Sequence, residues 1–131
     1  MPLKIILDSN FLFVPLQFRV DVFRELERVT NRKVEAILLS PVYEEVKRLA
    51  ERGGVEGRRA AAALGYAARL KLVNIEAEQG EVVDDLIVRL AAEWKCPVAT
   101  NDRELRKRLR DTNITVIYLR QKSYLEIDGQ V

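Results

Sequence analysis

The chain has 131 residues and contains no histidine, one cysteine, one methionine and one tryptophan. Without histidine there is no imidazole to move protons near neutral pH, and the common zinc sites are excluded. Any metal must be held by oxygen, which suits Mg²⁺ or Mn²⁺. The lone cysteine, Cys96, leaves no partner for an intrachain disulfide. Set between Lys95 and Pro97 at an expected strand entrance, it reads as a small buried apolar residue. No apolar run approaches the roughly 18 residues of a membrane span. Lys4 and Asp8 interrupt the first apolar run too early for a secretory leader. A cytoplasmic location and no membrane partner are expected. Aromatic residues are few, at 7%, so stacking platforms for bases are scarce; Tyr43 and Tyr66 are candidates, and packing explains both equally well. The net charge of +2 does not by itself announce a polyanion, so the placement of the charges has to carry that argument.

What is present is a 48% hydrophobic fraction, enough for a core, in one domain spanning 1–131. Leu3–Leu7 is a short β-branched run that stops on Asp8, and it reads as a buried strand. Phe11–Leu16 is a short apolar segment interrupted by Pro15, a candidate helical turn. Asp21 caps a helix carried by Val22, Phe23, Leu26 and Val29 and ended by Asn31. A strand at Glu35–Leu39 is followed by Ser40-Pro41, a cap-and-proline helix start, and that helix runs to about Arg52. An alanine-rich helix covers Gly57–Leu70, then come a strand at Leu72–Ile75 and a helix from Gly80 to Trp94. Pro97–Ala99 is a strand, Asn101–Arg110 a helix, Ile114–Leu119 a strand and Tyr124–Ile127 an edge strand, with a loose tail beyond Asp128. Strands alternating with helices predict an α/β fold, a three-layer α/β/α arrangement with a mostly parallel central sheet. Ligands of such sheets bind at the carboxyl edge of the strands.

Four acids project toward that edge. Asp8 ends the first strand. On the helix after Pro41, Val42, Val46, Leu49 and Ala50 form the apolar stripe at about 100° per residue. Glu44 falls opposite that stripe and Glu45 on its flank. On the helix after Gly80, Asp84 lies beside the Ala91 margin of the apolar face and Asp85 at the opposite margin. Asp102 follows the Pro97–Ala99 strand. Each has a plain structural explanation. A flank glutamate is ordinarily solvated, first-turn aspartates complement the helix dipole, and Asn101 with Glu104 resembles a capping box. If Asn101 is the cap, Asp102 is left without a capping duty. Like charges gathered at one edge repel unless a cation compensates. Two divalent ions about 4 Å apart can activate water and stabilise the leaving oxygen in phosphodiester cleavage.

The Asp-Ser-Asn after the first strand, the Glu of Pro-Val-Tyr-Glu-Glu-Val-Lys-Arg-Leu, the Val-Asp-Asp-Leu-Ile-Val-Arg-Leu-Ala helix and the Val-Ala-Thr-Asn-Asp-Arg-Glu-Leu stretch together resemble the acidic motifs of a PIN domain, in order. The resemblance covers essentially the whole chain. It implies a Mg²⁺- or Mn²⁺-dependent endoribonuclease in which Asp8, Glu45, Asp84 and Asp102 are the catalytic, metal-binding acids. Asp85 would join the metal site, and Ser9, Asn10 and Thr100 would be supporting polar groups. Attack on phosphorus in line would expel the 3′ oxygen and leave a 5′ phosphate. Within the family the opening Asp-Ser-Asn-Phe-Leu, Pro-Leu-Gln-Phe and Val-Asp-Val-Phe are similar to the archaeal relatives of the small-subunit processome endonuclease, which themselves resemble VapC-type toxins. The resemblance therefore implies rRNA processing or toxin-type cleavage, with an antitoxin or ribosome-assembly protein, or a second copy of the chain, as partner. The apolar segment Phe11–Phe18 and the helix around Gly65 offer surfaces for one.

The densest basic run, Arg103 to Arg110, begins beside Asp102, and Lys47 and Arg48 follow Glu45. Of these, Arg103, Arg106, Lys107, Lys47 and Arg48 are the expected RNA-binding residues, since a polyanion must approach the acids against their repulsion. The alternative for each is a solvated helix face. A haloacid-dehalogenase-like phosphatase wants a second acid where Asn10 stands. A receiver domain wants an acid pair at the first strand and a late lysine, and neither is evident. The rival reading is a catalytically silent PIN-like module that binds RNA or a protein.

Overall fold

The computed structural model describes residues 1–129. Its elements are β1 (Leu3–Leu7), α1 (Asn10–Phe18), α2 (Val22–Thr30), β2 (Val34–Leu39), α3 (Ser40–Glu51), α4 (Gly54–Ala67), β3 (Lys71–Val73), α5 (Val83–Trp94), β4 (Val98–Ala99), α6 (Arg103–Asp111), β5 (Val116–Arg120) and β6 (Tyr124–Asp128). The six strands form one sheet in the order β3-β2-β1-β4-β5-β6. All neighbours are parallel except β5 and β6, which form an antiparallel pair. The expected α/β fold, with a mostly parallel central sheet, is what the chain adopts.

The strands are apolar on both faces because helices cover both. Successive strand side chains point to opposite sides, and the two cores divide accordingly. Ile6, Val98 and Val116 face the cluster built with Val42 and Val46 of α3, Leu86 and Leu90 of α5 and Leu105 and Leu109 of α6. Ile5, Leu7, Ala99 and Ile117 face the cluster built with Phe11 and Val14 of α1 and Val22 and Leu26 of α2. Each neighbouring pair, such as Ile5 and Ile6, is fully buried.

From β1 the chain builds outward through β2 to β3, then returns to place β4 on the other side of β1. The order in which strands are added therefore reverses between the parallel neighbours β1 and β4, where Ile6 pairs with Val98 and Leu7 with Ala99. A crevice opens beyond the strand ends at such a point. The next residues on the two strands, Asp8 and Thr100, stand at its mouth.

The structure departs from the sequence expectations in several places. The segment around Pro15 is a nine-residue helix and not a turn. Proline inside a helix forfeits one backbone bond, and burial of Phe11, Leu12 and Val14 compensates. Ser40 does not cap α3. Leu39 holds the cap position, and the Ser40 hydroxyl pairs with Ile75, accepting from its N–H at 3.0 Å and donating to its carbonyl at 3.1 Å. That engagement lies just past β3, which is shorter than expected and ends at Val73. Helix α4 starts at Gly54, not Gly57. A Cβ on Gly57 would lie 3.2 Å from the Ala50 carbonyl and 3.3 Å from that of Leu49, so this glycine is where α3 and α4 approach closely. Helix α5 starts at Val83 rather than at Gly80. Cys96 is buried, as expected, and burial pushes its thiol up to about 11. The expectation of a loose tail beyond Asp128 falls mainly on Gln130 and Val131, which lie outside the described residues.

Candidate active site at the β1–β4 crevice

Asp8 is the pivot. It is only 6% exposed, and a buried carboxylate needs partners. Its Oδ1 accepts from the Ser9 backbone N–H at 2.8 Å. Its Oδ2 accepts from the Asn10 amide at 3.0 Å and from the Thr100 hydroxyl at 2.7 Å. A carboxylate offers about four acceptor positions. These three bonds leave one on Oδ1, so Asp8 is oriented without being saturated.

The partners are themselves held. Thr100 is fully buried, and its oxygen accepts from the Asp102 N–H at 3.1 Å. The Asn10 oxygen accepts from the Asn101 N–H at 3.1 Å, and the Asn101 oxygen accepts from the Leu119 N–H at 2.8 Å. The ends of β1, β4 and β5 are thus joined by one chain of side-chain hydrogen bonds. Ser9, Asn10 and Thr100 all belong to it, Ser9 through its backbone. Asn101 was assigned only a cap by its sequence context, yet its side chain is the link to β5. Nothing local signals this, because the acceptor role depends on a strand 18 residues away.

Asp102 is the N-cap of α6, with its Oδ1 accepting from Leu105 N–H at 3.1 Å. This decides against the capping box that Asn101 and Glu104 resemble in the sequence, and with it the condition that left Asp102 without a capping duty. Both residue types cap well, and the choice falls to Asp102 because the Asn101 side chain is engaged by Leu119. The cap uses one oxygen of the Asp102 carboxylate.

Glu45 is half-buried on the flank of α3 while its neighbour Glu44 is exposed. Asp84 is half-buried and Asp85 exposed, both in the first turn of α5. The Asp84 carboxyl titrates above its ordinary range. Burial is the largest cause, followed by the charges of Asp8 and Asp102, with Arg108 opposing and Glu45 adding to the effect. Asp8, Glu45, Asp84 and Asp102, drawn from four different elements, therefore share one electrostatic neighbourhood. They share it without forming a closed cage: among the described residues, no group of three or more His, Cys, Asp or Glu is arranged to hold a metal ion. Asp85 makes an ion pair with Arg108 at 2.8 Å, across to α6.

Of the basic residues singled out, Arg103, Arg106 and Lys107 line one groove together with Arg110 and Asp128. Lys47 and Arg48 are exposed on α3 and are not part of it. A second cleft, of about 540 Å³, runs from Ser9 and Asn10 past Phe13, Gln17 and Leu49 to Arg59.

Comparison with known proteins fits this arrangement. The PIN like domain family matches residues 5–122. Ribonuclease VapC4 of Methanocaldococcus jannaschii is 36% identical over 129 residues, covering 98% of each chain. The rRNA-processing protein FCF1 of Saccharomyces cerevisiae is 28% identical over 110 residues, and the match spans 55% of its length. Among solved structures, the PIN domain endonuclease Utp24 superimposes with a TM-score of 0.81 at 27% identity, covering 99% of this chain and 96% of that one. By sequence, and by a strand order that reverses between the two strands leading to Asp8 and Thr100, the chain belongs to the PIN-like domain family.

Proposed function

We propose that the protein is a divalent-metal-dependent endoribonuclease, with Asp8, Glu45, Asp84 and Asp102 as its catalytic acids. The observation that carries this reading is geometric: Asp8 is held by Ser9, Asn10 and Thr100 with an acceptor position left over, next to the Asp102 cap, and burial together with the charges of Asp8, Asp102 and Glu45 raises the Asp84 carboxyl beside them. Four carboxylates, with Arg108 the one base acting on Asp84 and itself paired with Asp85, leave a net negative charge that suits a hard cation. The donor set is oxygen throughout, in a chain with no histidine, which fits Mg²⁺ or Mn²⁺. The acids would hold the ion through the free acceptor position on Asp8, the second oxygen of Asp102, and the carboxylates of Glu45 and Asp84. When bound, such an ion lowers the pKa of water for attack on phosphorus and offsets charge on the leaving 3′ oxygen.

The protein's own groups do the positioning. Thr100 and Asn10 fix the plane of the Asp8 carboxylate, and Asn101 fixes Asn10. The Asp102 cap sets that acid against the first turn of α6. Asp85 is engaged by Arg108 and is proposed to steady α5 against α6 instead of binding metal. The likeness to VapC4 and Utp24 supports RNA as the substrate. Toxin-type cleavage and rRNA processing share this chemistry and differ only in target, and either setting supplies a protein partner, antitoxin or assembly factor.

The test is cleavage of structured and single-stranded RNA in Mn²⁺, Mg²⁺ or EDTA, comparing wild type with Asp8→Asn. Metal-dependent cutting that falls by about 100-fold or more in the variant is expected, more than the 10–100-fold that outer partners of a metal ligand contribute. Cutting that survives the substitution removes Asp8 from the mechanism. RNA binding without cutting in any metal replaces this reading with the silent binding module.

A further inference from the structure

We propose that the groove between α6 and the β5–β6 hairpin is a backbone subsite for single-stranded RNA, binding phosphates a few nucleotides away from the one that meets the acids. The proposal rests on the RNA reading above and extends it to a surface outside the acid cluster. The groove is lined by Arg103, Arg106, Lys107 and Arg110 of α6 and by Asp128 of β6, and has a volume of about 450 Å³. Four positive charges face one negative one.

The charges are not equivalent. Arg108 is on another face of the helix and is neutralised by Asp85 at 2.8 Å. Arg110 is tethered to Asp128 at 3.3 Å. Arg103, Arg106 and Lys107 are in no ion pair with a carboxylate of the described residues, so three cations in one groove lack a counter-charge. Arg106 is also held in place. Its guanidinium carbon lies 3.6 Å from the centre of the Tyr118 ring, which fixes the planar group against β5. A row of cations whose middle member is braced by an aromatic ring suits repeated phosphates better than a single small anion.

Position decides what the groove can reach. Asp102 caps α6, so the groove begins at the acid cluster and leads away from it. From Arg103 to Arg110 the helix rises about 10 Å, roughly three nucleotides at the 3.4 Å per nucleotide of a stacked strand. The acids repel a polyanion at the very point where its scissile phosphate must sit. Affinity has to come from elsewhere along the strand, and this groove adjoins the acids.

The experiment is equilibrium binding of labelled oligouridylate, a dinucleotide and a long homopolymer, across a salt series in EDTA. Wild type is compared with Arg103→Gln/Lys107→Gln, and cleavage by wild type in Mn²⁺ is measured separately. Both substituted side chains are exposed, so the fold does not depend on them. The double variant is expected to bind the long strand about 10-fold more weakly at low salt. Its log–log salt slope should shrink by roughly 1.4, two contacts at about 0.7 each for single strands. The dinucleotide should change less than about twofold. An unchanged slope, or equal loss for both lengths, overturns the subsite. If wild type cuts RNA while the slope is unchanged, the groove falls and the nuclease stands. If groove-dependent binding appears without cutting in Mn²⁺, the subsite stands and the nuclease falls. If wild type binds no RNA in EDTA the subsite falls, and if it also cuts none in Mn²⁺ both fall.

Discussion

At the scale of single residues, the site depends on how a buried carboxylate is kept charged and aimed. The Thr100 hydroxyl is the shortest of the three bonds to Asp8, at 2.7 Å, and it also receives the Asp102 N–H. Thr100→Val keeps the shape and removes both functions. It should lower stability by about 1–3 kcal/mol, the cost of leaving buried polar groups unpaired, and lower cleavage 10–100-fold. Thr100→Ser should restore most of both, measured by denaturant melts and RNA cleavage. Asp84 behaves in the opposite sense. Its folded-state titration is raised, so protonation favours the folded state; that contribution is full below its ordinary value of 3.8 and is lost as pH rises through the raised one. At neutral pH its charge therefore opposes folding. Asp84→Asn should raise Tm at pH 7 while abolishing cleavage, and the Tm difference should close as pH falls toward 3.8. An unchanged Tm gap across that range would mean that charge is not the cause.

At the scale of elements, two glycines of one helix have opposite parts. Gly65 has open space where a Cβ would go, so Gly65→Ala should stabilise by about 0.5–1 kcal/mol through helix propensity. Gly57 faces two backbone carbonyls of α3, which cannot rotate away, so Gly57→Ala should lower Tm despite the same propensity gain. Thermal melts of the two variants compare these effects directly. The elements also show what sequence can reveal. β1 and Asp8 were legible because a buried strand ending on an acid is a local pattern, β4 with Asp102 shortly after it was legible as a short strand before a helix, and Glu45 was separated from Glu44 by helical periodicity alone. Helix α1 was hidden by Pro15, since the compensation is the tertiary burial of Phe11, Leu12 and Val14, which no local pattern shows. The capping-box resemblance at Asn101 misled because Leu119, the residue that withdraws Asn101 from capping, lies in another strand. Ser40 was misread for the same reason, its true partner Ile75 being 35 residues away. Local rules failed wherever a polar side chain had a better partner far along the chain.

At the scale of the whole molecule, the four acids should make stability depend on cation. Binding of an ion to the folded state alone adds about 2.7 kcal/mol at 100 times its dissociation constant. Mn²⁺ should therefore raise the Tm of wild type and leave that of Asp8→Asn nearly unchanged, and EDTA should reverse the gain. A rise of equal size in both proteins would place the ion elsewhere. The strand order carries a further consequence. Asp8 and Thr100, hydrogen-bonded in the folded chain, are separated by 92 residues of sequence, and β4 enters the sheet only after β1, β2 and β3. A nascent chain halted before residue 100 carries three of the four acids and lacks the hydroxyl that aims the first. On the nuclease reading, cleavage is expected only once Asp102 has been added and Thr100 has met Asp8, so the order of synthesis makes activity the last property the chain acquires.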